Sequence, residues 1–337
     1  PNLKRPKSAR LPVQKHLNQL PNLPWVARSG SKPSCADLSV TAVVRYLSNR
    51  PPCRRFDSVR FARRICLIMP SVPTRIDGPV AVIGDVHGQA DKLRVILQKL
   101  ARVPGIGNRW IVFIGDLVDR GPDSKTVIDM YCELAAQHSR VTWVCGNHEL
   151  AMAGSIGLIQ VPDFVDWPSR WLPHYDSDKT FASYGVEHGD LKGLREALPE
   201  EHARLMSDLP WSVEHAKYLF VHAGLDNNLP FNMQVNILRQ RDYSLAHPAW
   251  LYDKSFVRTG PASDCPVTVV VGHVPLPQVH FGNRVIGTDT TGGVQGDLSC
   301  VLLPENVVIT SGEDPPGGRP VPRQAHTAKK KPWWRPW

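Results

Sequence analysis

Five short clusters of polar residues each follow a short run rich in branched apolar residues. They are Gly84–Gly88, Gly115–Gly121, Gly146–Glu149, Val221–Gly224 and Val271–His273. Each cluster combines a glycine, which favours a turn, with carboxylate, amide or imidazole side chains. Oxygen and imidazole ligands without thiolates suit Mn²⁺, Fe or Zn²⁺. The pattern predicts metal-dependent chemistry at the ends of five strands.

The first cluster places Asp85 and His87 directly after the apolar run Pro79–Ile83. This run is short and bounded by turn residues, which indicates a buried strand. At positions i and i+2 of extended backbone, the two side chains project from the same side. A carboxylate and an imidazole placed in this way form half of a divalent-metal site. The alternative is a turn aspartate with a surface histidine.

Three candidate strands alternate with two candidate helices around the first three clusters. The strands are Pro79–Ile83, Trp110–Ile114 and Val141–Val144, and the helices are Ala90–Leu100 and Val127–Ala136. This order favours neighbouring parallel strands joined by crossover helices. Because functional groups lie outside the carboxyl ends of such strands, we expect the first three clusters to meet at one edge.

The second cluster offers three groups of different chemistry. Asp116 has two carboxylate oxygens and can bridge two cations. Asp119 lies three residues further along and is expected to point elsewhere. Arg120 carries a planar fork that suits phosphate oxygens. The alternative for Asp119 and Arg120 is a surface ion pair, which contributes little to stability.

The third cluster contains Asn147, His148 and Glu149. Asn147 offers a neutral oxygen ligand, and His148 is the natural proton donor because its ordinary pKa lies near neutrality. Glu149 is interpreted as an acid at the start of a helix. His222 and His273 each follow a predicted strand, and for each the alternative is a buried histidine with satisfied hydrogen bonds.

In order, the first three clusters match the motifs GDxHG, GDxVDRG and GNHE. With them the chain resembles the phosphoprotein phosphatase (PPP) family of calcineurin-like metallophosphoesterases, which includes phage and bacterial serine/threonine phosphatases and symmetrical diadenosine tetraphosphatases. The resemblance implies an α/β sandwich of two mixed sheets flanked by helices. The runs Val267–Val271, Val285–Gly287 and Leu298–Leu303 predict a second, largely antiparallel sheet.

The resemblance also implies a binuclear metal centre with two divalent ions, Mn²⁺ in preference to Fe or Zn²⁺. Its six ligands would be Asp85, His87, Asp116, Asn147, His222 and His273. Asp116 would bridge the two ions, with Asp85 and His87 on one and the other three ligands on the second. Two ions about 3.5–4 Å apart can share a water and lower its pKa. The predicted reaction is direct attack of this bridging hydroxide on phosphorus.

The remaining catalytic roles follow from the same resemblance. His148 would protonate the leaving oxygen while Asp119 orients its imidazole. Arg120 and Arg241 would neutralise the phosphoryl oxygens as charge shifts. Asn147 would contact the phosphate as well as a metal ion.

Residues 150–185 are predicted to form an irregular insertion that overhangs the metal site. Either this segment selects substrates as a lid, or its aromatic residues anchor a long loop to the core. For a dinucleotide substrate, Trp167 and Trp171 are candidate adenine-stacking residues. Further on, Asp289 begins an Asp-Thr-Thr-Gly element that resembles the family's late DTG element, and we expect it to support the site structurally.

Charge divides the chain into three parts. Residues 1–68 hold four Lys and ten Arg against two Asp, a net charge of +12. Residues 319–337 hold six cationic residues and no acidic one, a net charge of +6. Because the whole chain has a net charge of +9, residues 69–318 carry −9. We predict a metallophosphoesterase domain over 69–312 and a basic aromatic tail over 313–337. The Pro/Arg-rich segment 1–68 is predicted to be disordered or not native, since Met69 makes a natural start. Nucleic acid would bind only through these basic ends.

The predicted function is hydrolysis of phosphomonoesters, with phosphoserine or phosphothreonine in a protein or a small phosphate as substrate. An intact Asp119–Arg120 pair favours this over the alternative, hydrolysis of dinucleoside polyphosphates such as Ap4A, because those relatives tend to carry Ala-Arg there. A third interpretation is a non-catalytic protein that binds phosphate or nucleic acid. Seven cysteines without a CxxC pair, and no apolar run of membrane-spanning length, predict a soluble cytoplasmic protein.

Overall fold

The computed structural model describes residues 72–162, 164–245 and 247–313. The strands in these residues are β1 (Val80–Ile83), β2 (Trp110–Phe113), β3 (Val141–Trp143), β4 (Val213–Glu214), β5 (Tyr218–Phe220), β6 (Thr268–Val271), β7 (His280–Phe281), β8 (Val285–Gly287), β9 (Ser299–Leu303) and β10 (Val307–Thr310). The helices are α1 (Ala90–Leu100), α2 (Ser124–Gln137), α3 (Asn147–Ser155), α4 (Trp167–His174), α5 (Asp178–Ser183), α6 (Leu191–Ala197), α7 (Glu200–Ser207), α8 (Phe231–Gln240), α9 (Ala249–Tyr252) and α10 (Phe256–Thr259), with a 3₁₀ turn at Ile106–Asn108.

Within this part of the chain the strands form two five-stranded sheets, ordered β10–β9–β1–β2–β3 and β4–β5–β6–β8–β7. The central strand β1 is fully buried, and its side chains alternate between two apolar clusters. Val80 and Val82 join the cluster that also contains Phe220 and Val270 of the second sheet. Ala81 and Ile83 join the cluster that contains the apolar side of α1. The two sheets therefore pack face to face with helices outside, as predicted.

The predicted parallel arrangement of the first three strands is confirmed. β1 pairs with β2 in parallel from Val80 opposite Trp110, and β2 pairs with β3 in parallel from Ile111 opposite Val141. In the second sheet, β5, β6 and β8 are also parallel neighbours. The segments that carry the polar clusters therefore leave the same ends of parallel strands.

The prediction of a second, largely antiparallel sheet was wrong in two respects. The core of that sheet, β5–β6–β8, is parallel, because the helices α8 to α10 return the chain between β5 and β6. The run Leu298–Leu303 instead forms β9 of the first sheet, antiparallel to β1. An apolar run indicates a buried strand but does not name its neighbour.

The insertion over residues 150–185 is largely helical, so the expectation of irregular structure was also wrong. Asp166 caps α4 by accepting a hydrogen bond from the Ser169 amide at 3.1 Å, a strong helix-start signal. Trp167 and Trp171 are fully buried in the main apolar cluster. Buried indoles of this kind anchor the segment, and they cannot stack on an adenine.

The predicted basic segment 1–68 and residues 314–337 of the predicted tail lie outside the described residues, so the three-part division of the chain stays a prediction. No helix of the described part combines the length and apolar character that crossing a membrane requires.

Candidate metal centre and active site

Two groups of potential metal ligands lie at the carboxyl ends of the strands and share Asp116. One group adds His87 and His148, and the other adds His222 and His273; within each group the ligand atoms lie within 4.8 Å of one another. Asp116 Oδ2 is 3.5 Å from His87 Nε2 and 3.4 Å from His222 Nε2. The carboxylate predicted to bridge two cations therefore lies between residues that follow four different strands.

The other two predicted ligands adjoin this cluster. Asn147 Oδ1 lies 3.1 Å from His222 Nε2, and His273 Nδ1 lies 3.2 Å from the same nitrogen. Asp85 Oδ2 accepts a hydrogen bond from the His273 amide at 2.8 Å. The structure thus gathers all six predicted ligands, and it places His148 beside them.

Backbone carbonyls orient two of the imidazoles. The Nδ1 atom of His87 lies 3.1 Å from the Val118 carbonyl oxygen. The Nδ1 atom of His222 lies 2.9 Å from the Ile114 carbonyl oxygen. Since a carbonyl only accepts, each Nδ1 carries the hydrogen and each Nε2 faces Asp116. This is how proteins fix the tautomer of a metal-binding histidine.

Charges within the buried cluster favour a cation beside Asp116. Burial alone would raise the pKa of Asp116, yet His222 and His148 hold that pKa well below its ordinary value. Conversely, burial opposes the charged form of His222, but Asp116 raises the pKa of His222 to about 10. Burial, and after it the nearby Asp289, raise the pKa of Asp85 well above its ordinary value. Gathered carboxylates of this kind are the electrostatic setting of a cation site.

Two buried ligand atoms of the described residues lack a hydrogen-bond partner, Asp85 Oδ1 and His273 Nε2. Buried polar atoms are seldom left unpaired. Burial and the neighbouring His222 lower the pKa of His273 to about 3, so its imidazole is neutral and keeps a lone pair. Both unpaired atoms are of types that bind divalent metals, so the residues present fit such ions.

The backbone at the site adopts a conformation that residues other than glycine rarely take. Positive φ angles occur at His87 (46°), Asp116 (50°), Asp119 (67°), Arg120 (64°) and His273 (63°). Such positions cost on the order of 1–3 kcal/mol each and concentrate at functional sites. The fold is therefore strained where the predicted ligands lie.

His148 and Asp119 form the buried pair that the sequence predicts. His148 Nδ1 lies 2.8 Å from Asp119 Oδ2, and both side chains are at most 1 % exposed. Two further residues hold the carboxylate: Trp171 Nε1 donates to Asp119 Oδ2 at 2.8 Å, and Thr180 Oγ1 donates to Asp119 Oδ1 at 2.6 Å. Sequence reasoning missed both roles, since only the clustering of aromatic residues in segment 150–185 hinted at them.

Replacing Trp171 with phenylalanine should lower turnover about three- to tenfold, because it removes a hydrogen bond to a charged group worth about 1.5–3 kcal/mol. Because Trp171 acts on His148 only through Asp119, we expect only part of that free energy to appear as a loss of turnover. The measurement is kcat on a phosphate monoester together with the thermal midpoint. Trp167→Phe is the matched control, since the Trp167 indole is equally buried but its Nε1 has no partner in the described structure. Equal losses of turnover in both variants would contradict the assigned role of Trp171.

Glu149 does more than begin α3. Its carboxylate accepts hydrogen bonds from the amides of Gly146, Asp116, Leu117 and Val118 at 2.7–3.2 Å. Burial, and then Asp116, raise the pKa of Glu149 to about 7. It therefore joins the second and third clusters and fixes the backbone that presents Asp116. The sequence predicted only the helix-start role.

The two predicted phosphate-binding arginines lie in different settings. Arg120 NH1 lies 3.1 Å from His87 Nε2, so this guanidinium adjoins the cluster. Arg241 follows α8 with a φ of 53°, and its guanidinium pairs with Asp208. Its phosphate-binding role stays a prediction.

The structure combines two five-stranded sheets packed face to face with buried candidate metal ligands at the carboxyl ends of their strands. The profile of the calcineurin-like phosphoesterase family matches residues 78–301, and the chain belongs to this family. The family implies divalent metal ions, and the two ligand groups around Asp116 provide places for them.

Relatives with two kinds of name match parts of the chain, protein phosphatases and bis(5'-nucleosyl)-tetraphosphatases. The chain is 36% identical over 84 residues to the serine/threonine-protein phosphatase 4 catalytic subunit of Eremothecium gossypii, covering 25% of this chain and 26% of that protein. It is 32% identical over 147 residues to a symmetrical bis(5'-nucleosyl)-tetraphosphatase of Escherichia coli, covering 38% of this chain and 51% of that protein. The chain thus spans about a quarter to a half of these curated relatives.

Among solved structures, a cold-active protein tyrosine phosphatase superposes with a TM-score of 0.52 at 20% identity, over 72% of this chain and 79% of that one. At this identity the likeness shows the fold alone.

Proposed function

We propose that this protein hydrolyses phosphomonoesters with the help of divalent metal ions, and that phosphoserine or phosphothreonine in a protein is its substrate. The observation that carries the proposal is the buried pair formed by His148 and Asp119, 2.8 Å apart and next to the candidate metal ligands. A proton donor is most useful where the leaving group is a poor one, such as a serine or threonine alkoxide.

The proposed metal centre would hold two divalent ions, with Mn²⁺ favoured. One ion would be held by Asp85, His87 and Asp116. The other would be held by Asp116, Asn147, His222 and His273. When bound, these ions supply Lewis acidity, polarising phosphoryl oxygens and lowering the pKa of the attacking water.

His148 acts as the general acid in this proposal. Because Nδ1 is bonded to Asp119, the other nitrogen, Nε2, faces the cluster, 3.8 Å from Asp116 Oδ2. Asp119 stabilises the imidazolium and holds the ring in orientation, as a carboxylate does for a catalytic histidine. Nε2 then gives its proton to the leaving oxygen as the ester bond breaks.

Arg120 and Arg241 are proposed to bind the phosphoryl oxygens, together with the Asn147 amide. Arg120 lies beside His87, and its forked guanidinium matches two phosphate oxygens. For Arg241 to bind the phosphoryl group, its guanidinium must leave Asp208, with which it forms an ion pair. That pair is part-exposed, with side chains 28% and 30% accessible, so water can reach the Asp208 carboxylate when Arg241 leaves it.

Hydrolysis of a dinucleoside polyphosphate is the second candidate, favoured by the likeness to symmetrical tetraphosphatases. The buried Trp167 and Trp171 cannot receive the adenine. Tyr175 and Tyr252 are only half-buried and pack edgewise on the rings of His148 and His273, with centroids 4.7 and 6.4 Å apart. Because they contact two imidazoles of the site, these tyrosines are candidate stacking partners for a nucleotide base.

The discriminating experiment compares a phosphoserine/phosphothreonine peptide with diadenosine tetraphosphate as substrates of the Mn²⁺-loaded protein. A higher kcat/KM for the peptide supports the phosphatase proposal, and a higher value for the dinucleotide replaces it with the second candidate. Turnover of neither substrate by protein with bound metal would reject both.

Metal binding itself should stabilise the fold. A ligand present at 100 times its dissociation constant adds about 2.7 kcal/mol, which raises the thermal midpoint by roughly 5–10 °C for a domain of this size. We expect this shift when Mn²⁺ is added to chelator-treated protein. His273→Gln should reduce the shift at the same Mn²⁺ concentration, whereas His280→Gln on β7 should retain it. An undiminished shift in His273→Gln would contradict the assignment of His273 as a ligand.

A further inference from the structure

The turn formed by residues 289–293 (the 289–293 turn) follows β8 and packs against Arg120. Gly293 has a φ of 92° and forms the contact: a Cβ atom on this residue would lie 3.0 Å from Arg120 Cδ and 3.3 Å from Arg120 NH1. Real Cβ atoms seldom come so close to a neighbour, so the arginine would have to shift. Glycine at this position lets the arginine side chain lie directly on the backbone without that shift.

Hydrogen bonds within the turn hold it in one shape. Asp289 Oδ1 accepts from the Thr291 amide at 3.1 Å, from Thr291 Oγ1 at 3.0 Å and from the Gly292 amide at 3.2 Å. Thr291 Oγ1 in turn accepts from the Gly293 amide at 3.3 Å. An aspartate whose carboxylate accepts hydrogen bonds from the amides of the next residues commonly stabilises a tight turn. Asp289 was expected to support the site structurally, and these hydrogen bonds show how it stabilises the 289–293 turn.

Side chains from the start of α1 fasten the turn and the residues after it. Gln89 Nε2 donates to the Gly293 carbonyl at 2.8 Å, and the Gln89 side chain is buried. Lys92 Nζ donates to the carbonyls of Val294 and Gly296, both at 2.7 Å. Since α1 follows the cluster that holds Asp85 and His87, these bonds tie the turn to the metal centre.

Arg120 has two further contacts, one at its backbone and one at its guanidinium. Its amide donates to the Asp176 carbonyl at 3.1 Å, and NH1 lies 3.1 Å from His87 Nε2. The turn closes the side on which the Cδ and NH1 atoms lie. A long side chain confined in this way loses less rotamer freedom when it binds a ligand.

We propose that the 289–293 turn positions Arg120 for phosphate binding and that Gly293 is the positioning residue. The inference rests on the proposed function in one respect, that Arg120 binds the phosphoryl group. Gly293 acts through Arg120 and does not contact the substrate itself.

The test is the affinity of the Mn²⁺-loaded full chain for inorganic phosphate, measured by isothermal titration calorimetry, with KM and kcat for a phosphate monoester as a second readout. Gly293→Ala should weaken phosphate binding at least tenfold and raise KM. Gly292→Ala is the matched control. Gly292 also has a positive φ, 55°, but among the residues that the structure describes a Cβ there meets only Pro275 Cβ, at 3.9 Å. We expect less than a twofold change from it.

A double substitution separates positioning from general damage to the fold. In an Arg120→Ala background, Gly293→Ala should weaken phosphate binding less than twofold further, because the residue it acts on is gone. If Gly293→Ala does not fold, Gln89→Met removes the hydrogen bond to the Gly293 carbonyl at similar side-chain volume. That variant should weaken binding about threefold, again only when Arg120 is present.

Equal weakening by the two glycine variants, or an undiminished effect of Gly293→Ala or Gln89→Met without Arg120, would overturn the proposal. The proposed function fails differently: a protein that binds phosphate through Arg120 and Gly293 but turns over no phosphoester keeps this inference and loses the catalytic one.

Discussion

Replacing Asp116 with asparagine is expected to lower metal-dependent hydrolysis of an aryl phosphate by about 10³-fold or more, since about 4 kcal/mol of metal-derived stabilisation depends on this residue. Asp116 Oδ2 lies within 3.5 Å of two imidazoles, and Oδ1 is 3.3 Å from the His148 amide. Asparagine keeps one oxygen and replaces the other with an amide nitrogen, which cannot bind a metal ion. The proposed bridge between the two ions is then lost.

The fold should survive this substitution. Asp116 has a φ of 50°, and asparagine is one of the few residues that adopt this region readily. Circular dichroism and the thermal midpoint without metal test this expectation, and Asp91→Asn on the exposed side of α1 is the control. Turnover of Asp116→Asn within tenfold of the parent protein, with metal present, would show that Asp116 is not the bridging ligand.

Replacing His148 with asparagine is expected to lower turnover by about 10²–10⁴-fold, the usual contribution of a general acid, while two metal ions still bind. The loss should depend on the leaving group. An aryl phosphate with an acidic phenol needs little protonation, so its rate should fall least. A phosphoserine peptide, whose alkoxide is a poor leaving group, should lose most.

The measurement is kcat for both substrates with bound metal determined on the same sample. His280→Asn serves as the control, because it makes the same chemical change on β7. If His148→Asn hydrolysed the phosphoserine peptide at the parent rate, the general acid would have to be another residue. Equal losses on both substrates would point instead to a binding role.

Several of the predicted metal ligands come together because each directly follows a strand, and the order of strands and helices along the chain places these strands side by side. Asp85 and His87 follow a short buried strand, and the helices between β1, β2 and β3 require parallel neighbours. Polar residues after such strands have to meet at one edge of the sheet. The family motifs supplied the remaining step, since His222 or His273 alone reads equally well as a buried histidine.

Contacts between distant segments could not be predicted in the same way. Trp171 and Thr180 hold Asp119 across 52 and 61 residues of chain, and no local pattern connects them. The sequence around Glu149 predicts only an acid at the start of a helix. Its hydrogen bonds with the amides of Leu117 and Val118 form because the loop after β2 packs against the start of α3. The partner of β9 is likewise set by tertiary packing, which a periodic apolar run does not encode.

The turn at Gly293 shows a further limit of sequence patterns. The Asp289 element is visible in the sequence, and its structural role was expected. That the following glycine lies against Arg120 depends on how β8 and the start of α1 are placed in space. Close approach of a backbone to a long side chain is a property of the folded chain.

The central claim is that two divalent ions held around Asp116 enable hydrolysis of phosphoesters. It is tested most directly by titrating Mn²⁺ into chelator-treated protein while bound metal and turnover of a phosphoserine peptide are measured on the same samples. The account predicts that turnover rises with occupancy and reaches its limit at two bound ions per chain. Full turnover without bound metal, or two ions bound with no turnover of any phosphoester, would contradict it.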